Sequence, residues 1–142
     1  MKGKIALFVV PVLLLLVNGC ASTTQQVFTT EESQAKLRSV QTRAFDTNDK
    51  NKMMRNVIST LQDLDFVIDN ADLLLGSVSA TKFANNQTAV KATITVRDRG
   101  EKQLLVRLNV QYGLKAIEDP EPYQDFFNSL GKAIFLTAHQ VD

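Results

Sequence analysis

Residues 90–112 read VKATITVRDRGEKQLLVRLNVQY, and the alternation in this stretch decides the fold. Val90, Ala92, Ile94 and Val96 are separated by Lys91, Thr93, Thr95 and Arg97, the period of two that sends successive side chains to opposite faces of a strand. Asp98, Arg99 and Gly100 make a short connection, after which Leu104, Val106, Leu108, Val110 and Tyr112 alternate with Leu105, Arg107, Asn109 and Gln111. Two such runs joined by a tight turn predict an antiparallel hairpin with one apolar face and one wet face.

Upstream, Leu75–Phe83 predicts a third strand, with Val78 and Ala80 on one face and Ser77, Ser79 and Thr81 on the other; a turn at Ala84–Gln87 leads into the hairpin. Phe66–Ile68 is a short apolar run expected as a buried strand, closed by a turn at Asp69, Asn70, Ala71 and Asp72. Asp46, Thr47, Asn48 and Asp49 are helix-start residues, and Met53, Met54, Val57, Ile58, Leu61 and Leu64 recur at three and four, predicting a helix from about Asn48 to Leu64. Leu37–Phe45 is expected as a further strand, although Val40, Ala44 and Phe45 share no single parity. Downstream of Asp119–Pro122 a second helix is expected, with Tyr123, Phe126, Phe127, Leu130, Ile134 and Ala138 in helical register and Gly131 on it.

This order predicts an α+β domain in two layers, an antiparallel sheet of four to five strands with two helices packed on one face. The opposite, polar face stays in water. Its basic residues, grouped with Lys82 as Lys82, Lys91, Arg97 and Arg107, form the candidate partner face. The arrangement is similar in outline to helix-grip envelope lipoproteins such as BamC, of the outer-membrane protein assembly machine, a likeness of topology that carries no functional residues.

The first twenty residues, MKGKIALFVVPVLLLLVNGC, set Lys2 and Lys4 before an apolar run from Ile5 to Val17, followed by Asn18, Gly19 and Cys20. That is the layout of a signal peptide, and the run is short of the ~20 apolar residues a spanning helix needs. Residues 17–20 resemble the lipobox of bacterial lipoprotein precursors. The resemblance implies cleavage after Gly19, with Val17 and Gly19 in the recognised positions and Cys20 acylated as the first mature residue. Asn18 departs from the usual choice. Ala21 after the Cys, rather than Asp, implies sorting to the outer membrane, with the domain facing the periplasm.

Ala21–Ala35, rich in Ser, Thr, Gln and Glu, is expected as a flexible tether behind Cys20, leaving residues 36–142 as one globular domain. The single Cys excludes an intramolecular disulfide and any multi-Cys zinc site. Removing Lys2 and Lys4 takes the 16 basic residues to 14 against 15 acidic ones, a balance of minus one that offers nothing to nucleic acid.

Catalytic groupings are missing. Asp46–Asn51 resembles half of a calcium loop, but Asn51 and Val57 stand where an EF-hand needs Gly and Glu, so capping is the expected role. Asp63, Asp65, Asp69 and Asp72 straddle a helix end, a strand and a turn, where carboxylates are usually solvated. His139 sits near a helix C-terminus, which favours a cation. Ser77 and Ser79 lack a nucleophile elbow, and there is no Gly-rich phosphate loop. No catalytic residue, cofactor or metal is expected. The reading is a non-enzymatic, membrane-anchored protein that binds another envelope component as an accessory or assembly factor; the alternative is a binder of a small apolar ligand or envelope-derived molecule, an acyl chain or a peptidoglycan fragment, with a cleft beside Tyr123, Phe126 and Phe127 as the place for an apolar one.

Overall fold

The computed structural model describes residues 33–84 and 88–139. Cys20, Val17 and Gly19, the signal segment, and the tether up to residue 32 lie outside the described residues, as do three of the four residues of the expected 84–87 turn. The chain divides into two units, Met1–Lys36 and Leu37–Asp142. All the packing described below belongs to the second.

The described elements are α1 (33–40), β1 (Thr42–Phe45), α2 (Lys50–Asp63), β2 (Val67–Asp72), β3 (Ser77–Phe83), β4 (Ala89–Arg99), β5 (Gln103–Tyr112), β6 (Lys115–Ala116) and α3 (Glu121–His139). The fold is α+β: one antiparallel sheet, ordered β1-β5-β4-β3-β2, with β6 pairing the far end of β5 beyond β1. The hairpin of residues 90–112 lies at its centre, with Val96 opposite Val106 and Ala92 opposite Val110. The sheet has six strands rather than four to five, because Lys115 and Ala116 turn back onto Tyr112 and Gln111.

The core is the inner face of this sheet pressed against two helix stripes. Val78, Ala80, Ala92, Ile94, Val96, Leu104, Val106, Leu108 and Val110 meet Met53, Met54, Val57 and Leu61 of α2 and Tyr123, Phe126, Phe127 and Leu130 of α3, all buried. Among the described residues, every member of this cluster and every partly buried apolar residue packed on it comes from Leu37 onward.

Local chemistry sets the ends of α2. Asp49 is its N-cap, its carboxylate accepting from the Lys52 amide at 2.8 Å. At the other end Asp65 takes the left-handed conformation (φ 65°), the Phe66 amide donates to Leu61 O (2.9 Å) and the Asp65 amide to Gln62 O (3.0 Å). This is a Schellman motif, closed by Asp where Gly is usual, and it folds Phe66 back beside Leu61.

Several expectations are corrected. Leu37–Phe45 is not one strand: 33–40 is helical, so residues 33–35 of the expected tether open α1, and only Thr42–Phe45 pairs with β5. Two geometries in one segment explain why its apolar residues shared no parity. β2 is a border strand rather than a buried one, with Val67 71% exposed. The expected turn at 69–72 is strand, with a register shift between Ile68 and Asn70, and the chain turns at 73–76 instead. There Asp72 accepts from the Leu75 amide (2.8 Å) and Gly76 takes φ +69°, while Leu73, Leu74 and Leu75 stand exposed at the tip.

Candidate functional site

Two concavities lie on opposite faces of the sheet. Among the described residues no helix lays an apolar stripe on the outer face, and its alternate residues form a hollow of about 400 Å³ lined by Arg38, Arg97 and Arg107 together with Thr42, Thr93, Thr95, Leu105 and Asn109. Register explains the grouping. Thr42 pairs with Arg107, Arg107 with Thr95 and Thr93 with Asn109, so these side chains share a face on three adjacent strands. Among the described residues none of those lining it is acidic.

Of the four basic residues expected as a partner face, Arg97 and Arg107 meet in this hollow, and Lys91 stands exposed on the same face nearer the far end of β4. Lys82 does not join them. It shares the parity of Val78 and Ala80, which faces the helices, and pairs with inward-facing Val90. Arg38 was missed because its segment reads as a strand; as part of α1 it reaches the hollow that Arg97 and Arg107 line.

The inner concavity, of about 330 Å³, lies between the sheet and the ends of α2 and α3. Leu61, Leu64 and Phe66 from the end of α2, Ala92, Leu108 and Val110 from the sheet, and Phe126 from α3 make it predominantly apolar. The charged groups lining it are Lys82, Glu121 and Asp125. Lys82 is half-buried at the C-terminal end of α2, its ammonium 3.4 Å from Leu64 O and 4.7 Å from the centre of the Phe66 ring. A cation is favoured there by the helix dipole and the ring face. Glu121 and Asp125 are exposed in the first turns of α3, where the dipole favours carboxylates. Of the aromatic stripe, Phe126 walls this cavity while Tyr123 and Phe127 are core.

A buried polar chain joins the two faces. The Arg107 guanidinium donates to Gln41 Oε1 (3.3 Å), Gln41 Nε2 donates to the Tyr123 hydroxyl (3.4 Å), and that hydroxyl donates to Ile117 O (2.6 Å). Gln41 is 4% exposed and Tyr123 fully buried, so each group depends on its neighbour for satisfaction. Tyr123→Phe removes the donor to Ile117 and the acceptor for Gln41, and we expect a loss of about 1–3 kcal/mol in chemical denaturation. A change below about 0.5 kcal/mol would mean that water replaces both bonds.

Asp69 accepts from the Thr81 hydroxyl (2.7 Å), Asp46 from the Gln103 amide (2.6 Å), and Asp65 closes α2. Ser77 and Ser79 lie on the outer face of β3, and His139 ends α3. Among the described residues no group of three His, Cys, Asp or Glu side chains could hold a metal, and no helix is long and apolar enough to cross a membrane. Comparison with known proteins finds no family model that matches the chain and no curated protein that matches it.

Proposed function

We propose that this is a non-enzymatic protein of the bacterial cell envelope, anchored at the outer membrane through acylated Cys20, whose periplasm-facing domain binds another envelope component as an accessory or assembly factor. The observation that carries the binding role is the outer sheet face, which gathers Arg38, Arg97 and Arg107 around a hollow with no acidic residue among its described lining, in a chain of nearly balanced charge. Guanidinium groups set among threonine hydroxyls suit an acidic protein surface, where they give specificity and speed of encounter. The anchor rests on the resemblance of residues 17–20 to a lipobox.

Crosslinking in whole cells followed by purification of the full chain tests the binding role. The doubly charge-reversed variant R97E/R107E is expected to lose its main crosslinked partner by about tenfold, the effect of breaking a charge-complementary contact. A partner profile unchanged by this variant would overturn the assignment to the outer face, and a chain that crosslinks to nothing would overturn the function. For the anchor, Cys20→Ser is expected to abolish incorporation of labelled fatty acid and leave the precursor uncut; labelling that persists would overturn it.

A second reading is favoured by one observation, the apolar inner cavity of about 330 Å³. That volume falls within the range of small-molecule sites, ~300–1,000 Å³. In this reading the domain carries a small apolar ligand between the sheet and the helices.

A further inference from the structure

Resting on the second reading, we infer that the inner cavity takes a single-chain amphiphile with a zwitterionic head, its chain between the sheet and Phe126, its anionic group on Lys82 and its cationic group toward Glu121 and Asp125.

Volume and lining specify the tail. Leu61, Phe66, Ala92, Val110 and Phe126 present carbon to the cavity, and a space of about 330 Å³ lies at the small end of ligand pockets, which suits one chain rather than two. Transfer of such a chain from water is favourable by about 0.8 kcal/mol for each methylene buried. Phe66 is there because the Schellman closure at Asp65 turns it back beside Leu61.

Charge specifies the head. Among the described residues the charged side chains in the lining are one ammonium and two carboxylates, carried on different elements, Lys82 on β3 by the end of α2 and Glu121 and Asp125 on α3. The contacts of the Lys82 ammonium are Leu64 O at the outer limit of a hydrogen bond (3.4 Å) and the Phe66 ring, which leaves donors for an anion. A purely anionic head would meet Glu121 and Asp125, and a purely cationic one would meet Lys82. A head carrying both signs matches both sets of groups.

The surroundings specify the route. Lys82 and Val90 are paired near the end of the sheet, and Val90 pairs in turn with Tyr112. At that same end Tyr112 is 40% exposed and Leu114 fully exposed. Apolar side chains held in water beside a cavity are where an amphiphile leaving a bilayer would first touch the protein.

The test uses the full chain. Lysophosphatidylethanolamine and lysophosphatidylglycerol of the same chain length, both below their micellar concentrations, are titrated while backbone amide resonances of Ala92, Val110 and Phe126 are followed. The zwitterion is expected to bind about tenfold more tightly, the scale of one charge-assisted contact. Lys82→Glu is expected to weaken the zwitterion about tenfold, and the double variant E121Q/D125N to bring the two lipids to within about threefold of each other. These side chains are exposed or half-buried, and thermal unfolding of each variant confirms that the fold is kept. Equal affinity for both lipids, unmoved by Lys82→Glu, overturns the head assignment and leaves an apolar-ligand site standing. No shift at Ala92, Val110 or Phe126 with either lipid overturns the ligand reading itself.

Discussion

Phe127→Ala is expected to destabilise the domain by about 3–5 kcal/mol, measured as the change in unfolding free energy in urea. The ring is 1% exposed and stands edge-on to Phe126, with centroids 5.3 Å apart and planes at 71°. On its other side the Arg43 guanidinium sits 4.9 Å from its centre. Truncation therefore removes a buried aromatic surface, a ring pair and the seat of a cation at once. Against a typical domain stability of about 5–15 kcal/mol, this is a large share of the total. Leu136→Ala on the same helix, at a side chain 65% exposed, should change stability by no more than about 0.5 kcal/mol. Equal losses at the two positions would mean that the helix packs through a different stripe.

The second large effect is expected at Gly76. Its φ of +69° is left-handed, and a Cβ there would run into the Val96 carbonyl and the end of the Lys50 side chain. The Lys50 side chain can move away, but Val96 cannot, since its amide donates to Gly76 O at 2.7 Å and the two backbones are locked together. Gly76→Ala should cost about 2–4 kcal/mol, combining the left-handed penalty of ~1–2 kcal/mol with displacement of a packed strand. Gly100 supplies the control. It has a similar φ of +67° but nothing within 4 Å of its Cβ position, so Gly100→Ala should cost only the left-handed penalty, about 1–2 kcal/mol. The difference between the two urea midpoints measures the close approach alone, and no difference would show that Val96 yields.

How much of this was legible follows from which signals are local. The hairpin of residues 90–112 is written in uninterrupted alternation, and α2 in a stripe with Asp49 in front of it, so element type and buried face could be read together. The end of the sheet near Asp69 could not. Asp, Asn and Ala at 69–72 have turn composition, yet the turn is made by the Asp72 carboxylate and the positive φ of Gly76, with three leucines between them. Leucine run and turn conflict locally, and pairing of Asp72 with Ser77 and Ala71 with Val78 decides the outcome.

The candidate sites show the same division. Arg97 and Arg107 follow from strand parity, whereas Lys82 was grouped with them by charge alone although its own parity, that of Val78 and Ala80, points to the helix side. Counting by twos from Val78 would have placed it. Arg38 depends on the helical geometry of 33–40, which mixed polar sequence does not announce, and the inner cavity depends on how far apart two layers settle, which no local pattern encodes.

The two borders of the sheet have a further consequence. One is shared by β1, four residues long, and β6, two residues long; the other is β2, whose ladder is broken between Ile68 and Asn70 and which carries Asp69 and Asp72. Neither offers the long, flat, uncharged run of free amides and carbonyls on which a foreign strand could lengthen the ladder. A protein confined to a surface meets its own copies far more often than one diluted in three dimensions. Under the anchoring proposed above, blunted borders on both sides let such copies crowd without recruiting one another into fibres.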